Sequence, residues 1–273
     1  MLKIGVTGAA GRMGQAILRL ALMDSHFAVA KVFERPDSTH QGQLATTACG
    51  LKLEPTLKIE ISSESTLKGL NALIDFSSVD SSCQHAKWCG ITGTPLVIGT
   101  TGFSASQKNV ILESSKKVPI VLAPNMSLGA NLIFALARLA SKLLPNTYDM
   151  EVVEAHHRHK KDAPSGTAER LGREMAEAKG WKFDDVAVYG REGVSGERPV
   201  EQIGMHVLRM GEVVGEHSAF FSSAGETIEL RHVAHSRDAF AQGALVAAKF
   251  VSQAKNGLYD MQDVLGIRAG EKA

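Results

Sequence analysis

The sequence predicts an α/β protein in which a parallel sheet covered by helices on both faces is followed by a second, α+β domain built on a mainly antiparallel sheet. Three observations predict it. Short, continuous apolar runs alternate with helical stretches through the first 126 residues, the pattern of strands buried on both faces. A glycine-rich turn joins the first of those runs to the first helix. Beyond Asn125 the runs lengthen and polar residues partly alternate with apolar ones, as in a sheet with one open face.

Leu2 to Thr7 is a short apolar strand, Met13 to Met23 places apolar residues at helical spacing, and Phe27 to Phe33 returns as a second strand. That opening is a βαβ unit. Ala72 to Phe76, Leu96 to Ile98 and Ile120 to Leu122 continue the strands, with helices near Ser81 to Cys89 and Ala105 to Lys116 between them. In the second part, helices at Ala130 to Leu143 and Ala168 to Lys179 flank a strand at Met150 to His157. Ile203 to Arg209, Glu212 to Ser222 and Thr227 to His235 follow as strands punctuated by Gly211 and Gly225. An alanine-rich amphipathic helix, Arg237 to Ala254, closes the chain. The expected division is 1–126 with 237–273 returning to it, and 127–236 as the second domain.

Composition narrows the class of function. With 44% hydrophobic and 22% charged residues in 273, the chain has what an ordinary folded core needs. Thirty basic residues against twenty-nine acidic ones leave a net charge of +1, so no global field attracts nucleic acid or a membrane surface. Cys49, Cys83 and Cys89 form no CxxC pair, which argues against a disulfide framework and a structural zinc site. No apolar run approaches the ~20 residues of a membrane helix, and the sequence enters its first strand with no signal peptide before it, so a cytoplasmic protein is expected.

The turn Gly8-Ala9-Ala10-Gly11-Arg12-Met13-Gly14 stands where backbone N–H groups and the helix dipole favour a pyrophosphate. It reads GxxGxxG, and glycines there also serve tight packing alone. Glu34, 20 residues past Gly14 at the end of the second strand, stands where a dinucleotide fold places the carboxylate that holds ribose hydroxyls. Arg35 beside it suits a 2′-phosphate, so NADH and NADPH both stay open; a solvated charge pair is the plainer alternative. Gly99-Thr100-Thr101 and Ala123-Pro124-Asn125-Met126 fall at later strand ends, where they should line the same crevice or act as ordinary turns. The first domain is therefore read as Rossmann-like and dinucleotide-binding.

The segment His156 to Thr167 joins proton donors, dense positive charge and a helix start within twelve residues. Histidine passes protons near neutrality, Lys160 and Arg158 suit carboxylates, and the helix start at Ser165-Gly166-Thr167 offers N–H groups to an anion. Zinc ligation by His156, His157 and His159 lacks the i, i+4 spacing of HExxH, and the adjoining lysines would repel a cation. A merely basic surface patch fits poorly with its isolation in a neutral chain.

These motifs, together with Glu154-Ala-His-His-Arg-His-Lys-Lys-Asp-Ala-Pro-Ser-Gly-Thr-Ala168, resemble the dihydrodipicolinate reductases, also called 4-hydroxy-tetrahydrodipicolinate reductases, over essentially the whole chain. The resemblance implies reduction of a small dicarboxylated cyclic imine by NADH or NADPH on the diaminopimelate route to lysine, a homotetramer built through the second domain's sheet, and a hinge between the domains. It implies His156 as proton donor with Lys160 as its catalytic partner, and His157, Ser165, Gly166 and Thr167 on the substrate. It further implies cofactor contacts from Gly8, Ala9, Ala10, Gly11, Arg12, Met13, Glu34, Arg35, Gly99, Thr100, Thr101, Ala123, Pro124, Asn125, Met126, Arg237 and Phe240, and no metal. Lys161 stands where the family varies. A nucleotide-sensing regulator without catalysis would not need both His156 and Lys160, and an unrelated dehydrogenase would share only the glycine turn.

Overall fold

The computed structural model describes residues 1–270, which form two compact units: Met1–Leu128 together with the segment from Arg237 onward, and Gly129–Ser236. The first unit opens with β1 (Leu2–Thr7), α1 (Arg12–Met23), β2 (Phe27–Phe33), α2 (Ala45–Cys49), β3 (Ile59–Glu60), α3 (Glu64–Leu67), β4 (Ala72–Asp75), α4 (Val79–Thr92), β5 (Leu96–Ile98), α5 (Ala105–Ser115) and β6 (Pro119–Leu122). The second contains α6 (Leu128–Leu143), β7 (Asp149–His156), α7 (Gly166–Ala178), α8 (Phe183–Val186), β8 (Ala187–Tyr189), β9 (Ile203–Arg209), β10 (Gly215–Ser222) and β11 (Thr227–Ala234). The chain then returns to the first unit with α9 (Asp238–Val251), β12 (Gly257–Tyr259), α10 (Met261–Val264) and α11 (Ile267–Gly270).

In the first unit seven parallel strands run in the order β12-β6-β5-β4-β1-β2-β3. Side chains alternate across a strand, and here both sets are apolar. Ile4, Val6, Ile74, Val97 and Val121 face one core beneath α1 and α9. Leu73, Leu96, Ile98 and Ile120 face a second core with Ala86 and Cys89 of α4 and Ile111 of α5. This two-sided burial is why the strands read as unbroken apolar runs. Helix ends follow local chemistry: Ser104 and Gln107 form a capping box that starts α5, and Gly93, left-handed at φ 73°, ends α4. Strand order diverges on either side of β1, so the carboxyl ends of β1, β2 and β4 flank a topological switch point, where open α/β sheets bind ligands.

The second unit's sheet runs β11-β10-β7-β9-β8. The expected mainly antiparallel sheet is mixed: β10 is antiparallel to β7 and β11, whereas β9 is parallel to β7 and β8. A parallel neighbour needs a crossover of a dozen or more residues, usually helical, and α7 supplies it after β7. Met150 and Val152 of β7, Ile203 and Met205 of β9, and Ala219 and Phe221 of β10 pack beneath α6 and α7. Glu212 to Val214, expected as strand, lie outside it: Gly211, at φ +49°, and Glu212 form a turn, and β10 starts at Gly215. No helix among the described residues is long and apolar enough to cross a membrane.

Candidate active site

The turn after β1 is shaped for close approach. Gly8 adopts a left-handed φ of +63°, and a Cβ on Gly14 would lie 2.1 Å from the Gly8 carbonyl oxygen. Any side chain at 14 would therefore push α1 away from the strand. Gly11 precedes α1 with no side-chain cap, and no acidic residue stands in the first turn, so the helix dipole and its amides are left for an external anion. Glu34, at the end of β2, accepts a hydrogen bond from the Ala10 amide at 2.9 Å, which clamps the strand end to the turn. Arg35 is exposed and pairs with Asp37 at 3.2 Å. Thr7, Gly8, Glu34 and Arg35 line a cavity of about 450 Å³ with Ser77, His85 and Trp88 opposite.

A buried polar knot supports that cavity. Asp75, fully buried at the end of β4, accepts hydrogen bonds from the Thr7 hydroxyl at 2.7 Å, the Ser77 amide at 3.0 Å and His85 Nδ1 at 2.9 Å. His85 Nε2 in turn meets the Ser62 hydroxyl at 2.8 Å. Burial alone would favour the neutral acid, but the bonds from His85, Ser77 and Thr7 outweigh it and hold the Asp75 carboxyl below the usual carboxylate range. Neither Asp75 nor His85 announces itself in the sequence, since a lone His on a helix reads as scaffold.

The other expected cofactor residues fall at neighbouring strand ends. Gly99 follows β5, where a Cβ would lie 2.1 Å from the Phe76 ring, and Thr100 accepts a hydrogen bond from Ser82 at 2.9 Å while Thr101 is exposed. Ala123 and Met126 follow β6 and are buried, so their backbone rather than their side chains is what a ligand can meet. Pro124 is exposed, and Asn125 accepts from the Ser127 amide at 2.8 Å. Arg12 is exposed, and Met13 packs partly against the core. Arg237 and Phe240 stand at the start of α9, with Arg237 exposed and Phe240 half-buried against the core that holds Ala123 and Met126.

In the second unit the period of a strand builds the site. Glu154 and His156, two apart on β7, share its inner face, and His217 of β10 lies in register with Glu154. His156 Nδ1 lies 2.5 Å from Glu154 Oε2. The same carboxylate receives Arg209 twice, at 2.9 and 3.0 Å, and the Ser165 amide at 2.9 Å. Burial opposes ionisation of Glu154, yet these donors outweigh it and hold the carboxyl at about 2. His217 meets the Ser165 hydroxyl at 3.1 Å and stands edge-on to His156 with ring centres 5.2 Å apart. Burial, reinforced by His156, pushes His217 down to about 3, so it is a neutral imidazole.

The loop beyond β7 turns tightly, the Lys160 amide bonding the His157 carbonyl at 3.1 Å. Lys160 Nζ donates to both oxygens of Asp162 at 2.9 and 2.8 Å, and this bond lowers the Asp162 carboxyl. Arg209 also donates to the Asp162 carbonyl at 2.7 Å, so one guanidinium ties the loop to Glu154. Ser165 caps α7 by accepting from the Ala168 amide at 3.2 Å, with Gly166 and Thr167 in the first turn of a 13-residue helix. His157 follows β7, its ring 6.1 Å from that of His159. The structure thus brings His156, Ser165, Gly166 and Thr167 to one end of the sheet, with Lys160 in the adjoining loop, and adds Glu154, Arg209 and His217, which the sequence reading left unassigned. Strand period was the signal for Glu154; Arg209 and His217 lie 55 and 63 residues from it and become neighbours only through sheet pairing.

Two family models meet end to end along the chain: dihydrodipicolinate reductase, N-terminus, matches residues 2–126 and dihydrodipicolinate reductase, C-terminus, matches residues 129–265. The chain belongs to the dihydrodipicolinate reductase family. It is 45% identical over 272 residues to the 4-hydroxy-tetrahydrodipicolinate reductase of Nitrosomonas eutropha, covering 98% of this chain and 99% of that one. It is 46% identical over 271 residues to the reductase of the same name from Anaeromyxobacter dehalogenans, covering 99% and 100%. Among solved structures, the dipicolinate-bound dihydrodipicolinate reductase from Paenisporosarcina sp. TG-14 shares the fold, with a TM-score of 0.77, 23% identity and coverage of 96% and 98%.

Proposed function

We propose that the chain reduces 4-hydroxy-tetrahydrodipicolinate to tetrahydrodipicolinate with NADH or NADPH, on the diaminopimelate route to lysine, with His156 as proton donor. The family membership supports the reaction, and the observation that carries the assignment of His156 is its ring, held on an ionised Glu154 beside a helix start able to receive a carboxylate. No observation favours a catalytically silent sensor.

The first unit fits a dinucleotide: Gly14 lets the start of α1 pack directly on the Gly8–Ala9 turn, and α1 begins without a side-chain cap. Residues Gly8 to Met13 would hold the pyrophosphate, Glu34 and Arg35 the adenosine ribose, and the strand-end backbone at Gly99–Thr101 and Ala123–Met126 the nicotinamide end, with Arg237 and Phe240 as outlying contacts. A reduced nicotinamide bound there supplies the hydride. In the second unit Ser165, Gly166 and Thr167 would fix one substrate carboxylate through the helix start, and Lys160 and His157 would meet the other charged groups. The ring hydroxyl and a neighbouring ring hydrogen leave as water to give the conjugated imine, hydride enters that ring, and His156 would deliver the one proton that the relayed electron pair takes up. Lys160, paired with Asp162, would exchange that partner for the substrate when the anion arrives. Assembly as a homotetramer and a cytoplasmic setting belong to the same proposal.

The test follows absorbance at 340 nm with substrate generated in place by a synthase acting on pyruvate and aspartate semialdehyde, with NADH and NADPH compared side by side. Oxidation that requires the synthase is expected. His156→Gln should lower turnover roughly 10²- to 10⁴-fold, the usual contribution of a general acid, while NADH affinity holds. Equal losses in turnover and NADH binding would count against His156 as the acid.

A further inference from the structure

We propose that Glu154 is the positioning residue of the reaction: it holds one His156 proton on Nδ1, so that Nε2 is the nitrogen that takes up a second proton from solvent and, in the imidazolium, gives that proton to the substrate. The inference rests on the reading of His156 as the proton donor. A carboxylate is an acceptor only, so a 2.5 Å contact to Nδ1 assigns the donor role to that nitrogen. Arg209 and the Ser165 amide occupy the remaining capacity of Glu154, its side chain has no exposed surface, and it is therefore held in one place as an anion. Nothing among the described residues hydrogen-bonds His156 Nε2.

The surroundings leave that second nitrogen free to act. Gly215, at the start of β10, would bring a Cβ to 3.1 Å from Nε2, and its bare backbone keeps this side of the ring clear. The ionisable groups facing the ring from each packed element are few. Glu154 lies on its own strand, Arg209 comes from β9 through Glu154, and His217 comes from β10 with His232 of β11 stacked behind it at 6.4 Å. The Lys160–Asp162 pair stands in the adjoining loop. Of these only the Glu154 carboxylate accepts from the ring. A neutral Gln at 154 presents both a donor and an acceptor, and so releases the tautomer. This is the arrangement by which a buried acid orients an imidazole without itself taking the proton.

Two readouts test it. In the full-length wild type, long-range ¹H–¹⁵N spectra of histidine-labelled protein should show His156, identified by its loss in His156→Gln, with the proton on Nδ1. A neutral ring protonated on Nε2 overturns the proposal, with no variant needed. Glu154→Gln should lower kcat roughly 10²-fold, within the range general acids contribute, while KM for the substrate and NADH affinity stay within about twofold. In a His156→Gln background the same substitution should add no further loss in kcat, because an effect on turnover that runs through His156 has nothing left to act on. A loss of equal size in both backgrounds would make Glu154 structural and sink the proposal. Retained turnover in His156→Gln itself would instead remove the functional reading on which the inference stands.

Discussion

Burial keeps His217 uncharged down to about pH 3, against an ordinary histidine value of 6.5, because its ring sits among His156, His232 and the Ser165 hydroxyl with little water to solvate a cation. The sign of the consequence follows from proton counting. Between those two values the unfolded chain binds a proton at this position and the folded chain does not, so stability falls as pH drops below 6.5. His232, lowered by its own burial, acts in the same direction. The depressed carboxyls of Glu151 and Glu154, each at about 2 against 4.5, contribute stability that is present above 4.5 and lost only as pH falls towards 2. The interval from pH 6 to 5 therefore isolates the histidines. Urea unfolding should lose stability across it, and His217→Gln should flatten the dependence by up to about 1.4 kcal/mol per pH unit, the value of one proton. An unchanged slope in the variant would show that His217 is not the neutral, buried group.

Helix α9 shows how an element depends on one missing methyl group. A Cβ on Gly243 would stand 1.7 Å from the Met126 carbonyl oxygen, so the helix approaches the segment after β6 only because residue 243 has no side chain. Gly243→Ala should cost about 1–3 kcal/mol, the usual penalty of overpacking, read as a lower thermal midpoint. Gly225→Ala, with nothing within 4 Å of the added group, should leave that midpoint nearly unchanged and so serves as the comparison. Elements of this kind differ in how far they can be read beforehand. β1, β2, β5 and β9 match their expected limits to the residue, since the first three are mainly apolar runs and β9 alternates up to the break at Met210-Gly211. β3, β8 and β12, of two or three residues, were not foreseen, because so few residues hold no period and only an existing sheet edge makes them strands. The direction of β9 was hidden for a related reason: pairing partners are set by the route of the chain through α7 and not by the strand's own residues. The same holds for the site, where His156 to Thr167 stand together in sequence but Arg209 reaches Glu154 only through sheet pairing.

The two compact units each have an apolar interior of their own, two clusters in the first and one in the second, and the expected ligand groups divide between them in the same way. The glycine turn, Glu34 and the strand-end loops belong to the first; His156, Lys160 and the α7 start belong to the second. A ligand stabilises the state it binds by RT ln(1 + [L]/Kd), about 2.7 kcal/mol at a hundredfold excess over Kd, and hydrogen exchange records where that stabilisation is felt. NADH alone should therefore slow exchange at Gly8–Met13 and Gly99–Thr101, with little effect on His156–Ala168. Pyridine-2,6-dicarboxylate alone, a flat ring carrying two carboxylates, should reverse the pattern, slowing the amides of Gly166 to Ala168 where α7 begins. The Glu34→Ala chain should lose the first response and keep the second. Protection of His156–Ala168 by NADH as strong as that of the glycine turn would mean that the cofactor and substrate groups are not parted between the units, and the division of labour argued from their separate cores would be wrong.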